Sequence, residues 1–453
     1  MLYNDLTITI AKRQDSAYPV LFVAEGIGRA SAVLPLPDVG LKARLAEAAR
    51  VPLPSHIEDA LCAAGEALFR WLMPHDLETH LRIAWDRAAR IGRGLRLRLS
   101  IDPPEIASFP WELLRDPVRD HCFAMAISTL LVRYLDQTGH FGGLVDAQAR
   151  LPINLLLVAP TTSALNQDAE CSAIMEATSP LEGALKIWLA DGPVTRAALA
   201  DRLLAGRYDI LHFSGHGGFA DGQGHIALSD ARGNPDWVDG QTLSWLVGNH
   251  TSLKLVVLNG CRTGLVSDGL AFRGLAPQLV RRGIPAVVAM QYPLSDEIAG
   301  TFARDFYRQL CTGENVGQVD LAVTHARNML GVLYPGDRGW AAPVLYTHAL
   351  EGTIFERPQV SAGRMSSTSP VRGNRTADLV RSLQTSMAFD EDWALAEPSQ
   401  LIQWRETLKQ TEEAYRAQTD HADAEVRQAA RYGLALTQAR LTSLESALNK
   451  AAP

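Results

Sequence analysis

Cysteine is scarce in this chain. Five cysteines are spread over 453 residues, odd in number and far apart. That pattern excludes a disulfide framework and a Cys-rich zinc module, and it fits a reducing compartment. No run of about 18 apolar residues occurs, so no membrane-spanning helix is expected. The opening Met1-Leu-Tyr-Asn-Asp5 lacks the basic start and apolar core of a secretory signal, and a cytoplasmic location is expected. Basic residues are not in excess. The net charge is -7, which offers no basic surface for phosphates, so direct nucleic-acid binding is not expected. No metal and no cofactor is expected either. What is present is apolar: 47% hydrophobic residues against 21% charged, ample for a large core. The length suggests roughly two to four domains.

Along the chain, Leu6–Ile10 and Tyr18–Val23 read as strands of an opening sheet. Helical spacing follows from Leu41 to Ile91, cut by Pro52, Pro54 and Pro74. Leu95-Arg-Leu-Arg-Leu-Ser-Ile101 alternates strictly, which predicts a half-buried strand. In Phe109-Pro-Trp-Glu-Leu-Leu114, Trp111 and Glu112 are expected to pack and hydrogen-bond structurally. Leu130–Leu135 is a further strand candidate, and residues 139–150 read as a connector. From Pro152 onward, short apolar runs alternate with helical stretches, which implies βαβ units and a mostly parallel sheet. The expected division is an α/β scaffold over 1–150, a second α/β domain over 151–356, a basic linker over 357–398 and a helical element over 399–453. Residues 357–375 are rich in Ser, Pro, Gly and Arg and carry no acid. In the final element Leu434, Leu441, Leu444 and Leu448 form an apolar stripe at helical spacing.

Two matched units stand out. Tyr208-Asp-Ile-Leu-His-Phe-Ser-Gly-His-Gly-Gly218 and Leu253-Lys-Leu-Val-Val-Leu-Asn-Gly-Cys-Arg-Thr-Gly264 are apolar runs that stop at glycine. One then presents His216 and the other Cys261. In open α/β sheets chemistry collects beyond the carboxyl ends of the strands. A thiolate is a nucleophile, and a nearby imidazole can take its proton and return one to the leaving amine. The amides of Gly217 and Cys261 are the expected oxyanion donors. Cys62, Cys171 and Cys311 fall in helical patterns and read as inert core thiols, as does Cys122 in a less regular stretch. His212 alternates into the strand interior and reads as a packed histidine. Asn259-Gly260-Cys261-Arg262 departs from the caspase signature Gln-Ala-Cys at the two residues before the cysteine.

With Leu211-His-Phe-Ser-Gly-His-Gly217, Leu255-Val-Val-Leu-Asn-Gly-Cys261 and Gly283-Ile-Pro-Ala-Val-Val-Ala-Met-Gln291, the chain resembles the CHAT family. That family is a bacterial branch of the caspase and separase clan of cysteine peptidases. Phe109–Leu114, Ser295-Asp296 and Trp340–Tyr346 support the resemblance, which covers most of residues 1–355. It implies a caspase-like α/β sandwich with a mostly parallel sheet, preceded by a degenerate caspase-like half and followed by a small α-helical tail. It also implies a His216/Cys261 dyad that cleaves a partner protein, in bacterial defence systems linked to CRISPR or gasdermin. An activating protein or upstream protease is then an expected partner.

Separase-like relatives bind arginine at the cut with an acidic pocket. Gln291–Asp296 aligns with that region, so Asp296 is one candidate for its base, and Asp268 a second. A plainer reading, in which Ser295 or Asp296 caps the following helix, stays open. Arginine specificity would make Arg364, Arg372 and Arg375 in the basic linker candidate processing sites. The alternative to a peptidase is a catalytically quiet interaction module of the same fold.

Overall fold

The structure is a computed structural model. It describes residues 2–50, 56–135, 152–160, 168–181, 183–190, 192–220, 223–260, 268–349 and 352–355, with scattered residues between 402 and 441. The chain divides into two compact units, Met1–Pro358 and Gln359–Pro453. In the second, the described residues are helical. Arg416 pairs with Glu412 one turn earlier at 2.6 Å, and Leu441 is buried. The basic linker, with Arg364, Arg372 and Arg375, lies outside the described residues, as do Leu434, Leu444 and Leu448.

The first unit is built on one eleven-stranded sheet. Its amino-terminal strands are β1 (Tyr3–Ile10), β2 (Ala17–Ala24), β3 (Gly28–Pro35) and β4 (Gly94–Ile101). A short ribbon, β5 (Arg115–Asp116) with β6 (His121–Cys122), precedes β7 (Thr129–Tyr134). Then come β8 (Ile153–Val158), β9 (Leu185–Ala190) and β10 (Ile210–Gly215). A separate three-stranded sheet holds β11 (Gly217–Ala220), β12 (Gln223–Ser229) and β13 (Pro235–Asp239). The series closes with β14 (Leu255–Gly260), β15 (Ala286–Met290) and β16 (Pro343–Thr347). Spatially the large sheet runs β3-β2-β1-β4-β7-β16-β15-β14-β10-β8-β9. Among the described residues its antiparallel pairings are β3–β2, β2–β1 and β16–β15; the others are parallel. The chain is thus a mixed α/β protein with a large, mostly parallel sheet.

Ten helices connect or cover these strands among the described residues: α1 (Val39–Ala48), α2 (Ile57–Leu72), α3 (His75–Arg90), α4 (Pro104–Ala107), α5 (Asp168–Thr178), α6 (Arg196–Ala205), α7 (Gly240–Gly248), α8 (Asp268–Arg281), α9 (Asp296–Cys311) and α10 (Val319–Leu333). Several start on a side-chain cap. The Thr195 hydroxyl accepts from the Ala198 amide at 3.1 Å, and Asp239 accepts from Thr242 at 2.7 Å. Central strands such as Leu255-Val-Val-Leu258 are apolar on both faces, as parallel strands between two helical layers require.

The strand β4 corrects one expectation. Alternation predicted a half-buried strand, yet Arg96 and Arg98 are buried along with Leu95, Leu97 and Leu99. Arg96 donates to Asp320 at 2.7 Å and to Asp5 at 3.1 Å, and Arg98 reaches Asp5 at 2.7 Å. Ion pairs, not solvent, accommodate the polar face. Phe109–Leu114 forms a second buried polar centre. The Trp111 indole is fully buried and its N–H donates to the Ile106 carbonyl at 2.9 Å. Glu112, also fully buried, accepts two hydrogen bonds from Arg133, at 3.0 and 2.7 Å, and one from Gln291 at 2.9 Å. Burial alone would raise the Glu112 pKa, but the Arg133 and Arg327 guanidiniums outweigh it and hold the carboxyl below its ordinary value. Both residues therefore serve structure, as the sequence reading expects.

Candidate active site

From β8 the chain passes through α5 to β9 on one side, then through α6 to β10 on the other. Residues of α5 and α6 join different hydrophobic clusters, Ile174 in one and Leu199 and Leu203 in the other. A sheet whose connections diverge in this way opens a crevice at the carboxyl ends of the diverging strands. β10 ends at that crevice, with β14 as its other neighbour.

The two strands β10 and β14 are parallel, with Ser214 opposite Asn259 and Gly215 opposite Gly260. They therefore reach their carboxyl ends at the same level. In sequence the next residues are His216 and Cys261. Cys261 lies outside the described residues. His216 is half-buried, and its burial disfavours the imidazolium, so its pKa lies below the ordinary value of 6.5. At neutral pH its ring is neutral and can accept a proton.

His216 leads directly into the three-stranded sheet. The Ala227 amide donates to the His216 carbonyl oxygen at 2.9 Å, which makes 216 and 227 a hydrogen-bonded pair. The next pair, Gly217 with Ile226, is then the non-bonded kind of an antiparallel ladder. The Gly217 N–H is thus turned away from β12. Ile226 and Val238, in one row with Gly217, are buried in the core. The opposite face of this sheet carries His216, Ala227 and Trp237 in one row.

His212 is wholly buried on β10 and shares a 2.7 Å hydrogen bond with the Tyr307 hydroxyl through Nδ1. Desolvation pushes its pKa down to about 3. It is the packed histidine expected. Cys171 and Cys311 are buried, whereas Cys62 and Cys122 are partly buried. Burial raises the Cys62 thiol, takes Cys122 to about 11 and Cys311 to about 12, and a raised thiol stays protonated near neutrality.

The candidate specificity residues fall beside the same end of the sheet. β15 is parallel to β14, and Gln291–Ser295 leads from its carboxyl end into α9. This segment is pinned at its start. The Gln291 side chain donates to Glu112 and to the Ala341 carbonyl, and its amide to Ala342 at 2.8 Å. The Ser295 hydroxyl caps α9, accepting from the Ile298 amide at 3.4 Å. Asp296 is exposed in the first turn, where a carboxylate suits the helix dipole. Asp268 is the first residue of α8. Gln291 enters the sequence motifs only as an end residue, and Trp237 enters none of them. A lone tryptophan in the β-prone Pro235-Asp-Trp-Val-Asp239 was the available signal for the second. Among the described residues no His, Cys, Asp or Glu cluster could hold a metal ion, and no helix is long and apolar enough to cross a membrane.

An α/β sheet whose paired strands end at the same level before a histidine and a cysteine has the frame of a caspase-like protein. The model of the CHAT domain matches residues 63–346, more than half of the chain. The chain therefore belongs to the CHAT domain family, a caspase-like protease family. No curated protein matches its sequence. Among solved structures it is similar to two of the Saccharomyces cerevisiae separase–securin complex, at 12% and 13% identity with TM-scores of 0.43 and 0.44. The matches cover 76% and 77% of this chain and 30% of the matched chain in each complex.

Proposed function

We propose that the chain is a cysteine endopeptidase that cleaves partner proteins with a His216/Cys261 dyad. The observation that carries this reading is the parallel register of Gly215 with Gly260, the residues that immediately precede the pair. His216, neutral at pH 7, takes the thiol proton of Cys261 as sulfur attacks the scissile carbonyl carbon. The Gly217 amide, turned away from β12, and the Cys261 amide donate to the resulting oxyanion. The imidazolium then protonates the leaving amine, the C–N bond breaks, and an acyl-thioester remains on sulfur. Water, deprotonated by His216, hydrolyses that ester and frees the thiol.

The family setting extends the proposal. Cleavage follows arginine, whose guanidinium pairs with the carboxylate of Asp296 or Asp268. The reaction serves a bacterial defence or cell-death pathway, released by an activating partner or protease. Arg364, Arg372 and Arg375 are processing sites for the enzyme itself.

A randomised peptide library incubated with wild type, His216→Ala and Cys261→Ala tests the dyad. Cleavage by wild type should fall at least a thousandfold in both variants. Cleavage that survives Cys261→Ala removes the dyad, and a library untouched by all three favours the quiet interaction module. Intact mass of stored wild type and Cys261→Ala reads the processing sites; identical full-length masses refute them.

A further inference from the structure

The row that begins at His216 runs through Ala227 to Trp237. Residues opposite one another in an antiparallel sheet share a face, and strands lie about 4.8 Å apart, which sets positions 216 and 237 about 10 Å apart on one face. Ala227 is the small residue of β12 that lies between them in the row, with His225 next along the same face. Gly218, two residues past His216, leaves room for the ring: an added Cβ there would stand 2.8 Å from Trp237 Cζ3. The indole therefore leans back across the sheet toward the strand that carries His216. It remains 48% exposed. Its strand is tied to α6 by side-chain bonds. Arg196 clasps the Asp236 carboxylate at 2.7 and 2.6 Å and donates to the Trp237 carbonyl at 3.0 Å. A half-exposed indole on a braced strand, with its inner edge over Gly218, presents an apolar wall on the face that carries His216.

We propose that Trp237 forms an apolar subsite for the leaving half of the peptide substrate. The proposal rests on the dyad reading above. An imidazole that protonates the leaving amine must lie on that amine's side of the cut, so the residues after the scissile bond pass the His216 row. Trp237 meets one of the first three of them, and its indole selects Leu, Ile, Met or Phe over small polar residues. It is a specificity-determining residue; the bond-making groups remain His216 and Cys261.

Two measurements test it. In the first, wild type and Trp237→Ala cleave a library randomised at the three positions after the cut, and products are sequenced by mass spectrometry. The wild type should favour Leu over Ser at one position, and Trp237→Ala should lower that ratio about tenfold. Should Trp237→Ala unfold, Trp237→Phe should keep the ratio and Trp237→Gln should lose it. In the second, which needs no turnover, Cys261→Ala captures uncleaved peptides from the same library. Enrichment for one large apolar residue is expected, and Cys261→Ala/Trp237→Ala should erase it. A ratio or an enrichment that survives loss of the indole overturns the subsite, as does capture without apolar preference. Failure of the dyad shows separately, as cleavage that persists in Cys261→Ala.

Discussion

His212 and His216 lie four residues apart, and depth separates their chemistry. His216, past the strand end, is only half-buried, so its depressed pKa leaves a usable base. His212 is sealed between β10 and α9 against Tyr307, with its pKa near 3. An unfolded chain holds a histidine near 6.5, so between pH 6.5 and about 3 the unfolded state binds a proton that the native state refuses. The stability contributed by the neutral ring is complete above the unfolded value and is lost as pH falls toward the folded one. Each pH unit in that window costs about 1.4 kcal/mol. From pH 7 to pH 5, wild type should lose about 2 kcal/mol more than His212→Gln in urea unfolding. Parallel pH dependences would show that His212 already titrates in the native protein. Both histidines were separable in sequence, because strand alternation ends at Gly215.

At the scale of elements, the apolar runs that become β8, β10, β14 and β15 were legible, since strands buried on both faces announce themselves by composition. Less so was β3, an edge strand whose Gly-Arg-Ala-Ser start carries neither alternation nor bulk and is largely exposed. The burial of β4 was hidden for another reason. Its arginines pair with Asp320, 224 residues away from Arg96, and with Asp5, and no local pattern encodes such partners. The site was legible as a motif pair; the Trp237 row was not, because it depends on the register of three strands. Helix packing yields a prediction of its own. On α2, Gly65 passes so close to the Phe109–Leu114 segment that an added Cβ would lie 2.0 Å from the Leu113 carbonyl oxygen. Gly65→Ala gains up to about 1 kcal/mol of helix propensity. Overlap with backbone cannot be relieved by a rotamer, and overpacking typically costs about 1–3 kcal/mol. The overlap wins, so thermal unfolding should move to lower temperature; an unchanged or higher midpoint would refute the close approach.

For the whole molecule, the question is whether the second half of the sheet stands without the first. β16 pairs in parallel with β7 at Tyr346–Arg133 and Thr347–Tyr134, so removing the amino-terminal half exposes a strand that is central in the intact sheet. The polar core is shared as well. Glu112 and Arg133 come from the first half; Gln291, which donates to Glu112, and Arg327, 4.0 Å from it, come from the second. Arg327 is buried to 1% exposure, and desolvation already lowers its pKa to about 10. Without Glu112 its charge loses that countercharge, and breaking a buried ion pair from one side costs about 3–5 kcal/mol. That is a large share of the roughly 5–15 kcal/mol that holds a domain together. Residues 1–358, which keep both sides of this centre, should fold and melt in one cooperative transition. Residues 152–358 should be insoluble or lack a cooperative melt, despite containing both His216 and Cys261. A soluble 152–358 fragment with a sharp transition would show that the first half is an appendage and that the shared polar core is not needed for the second half to fold.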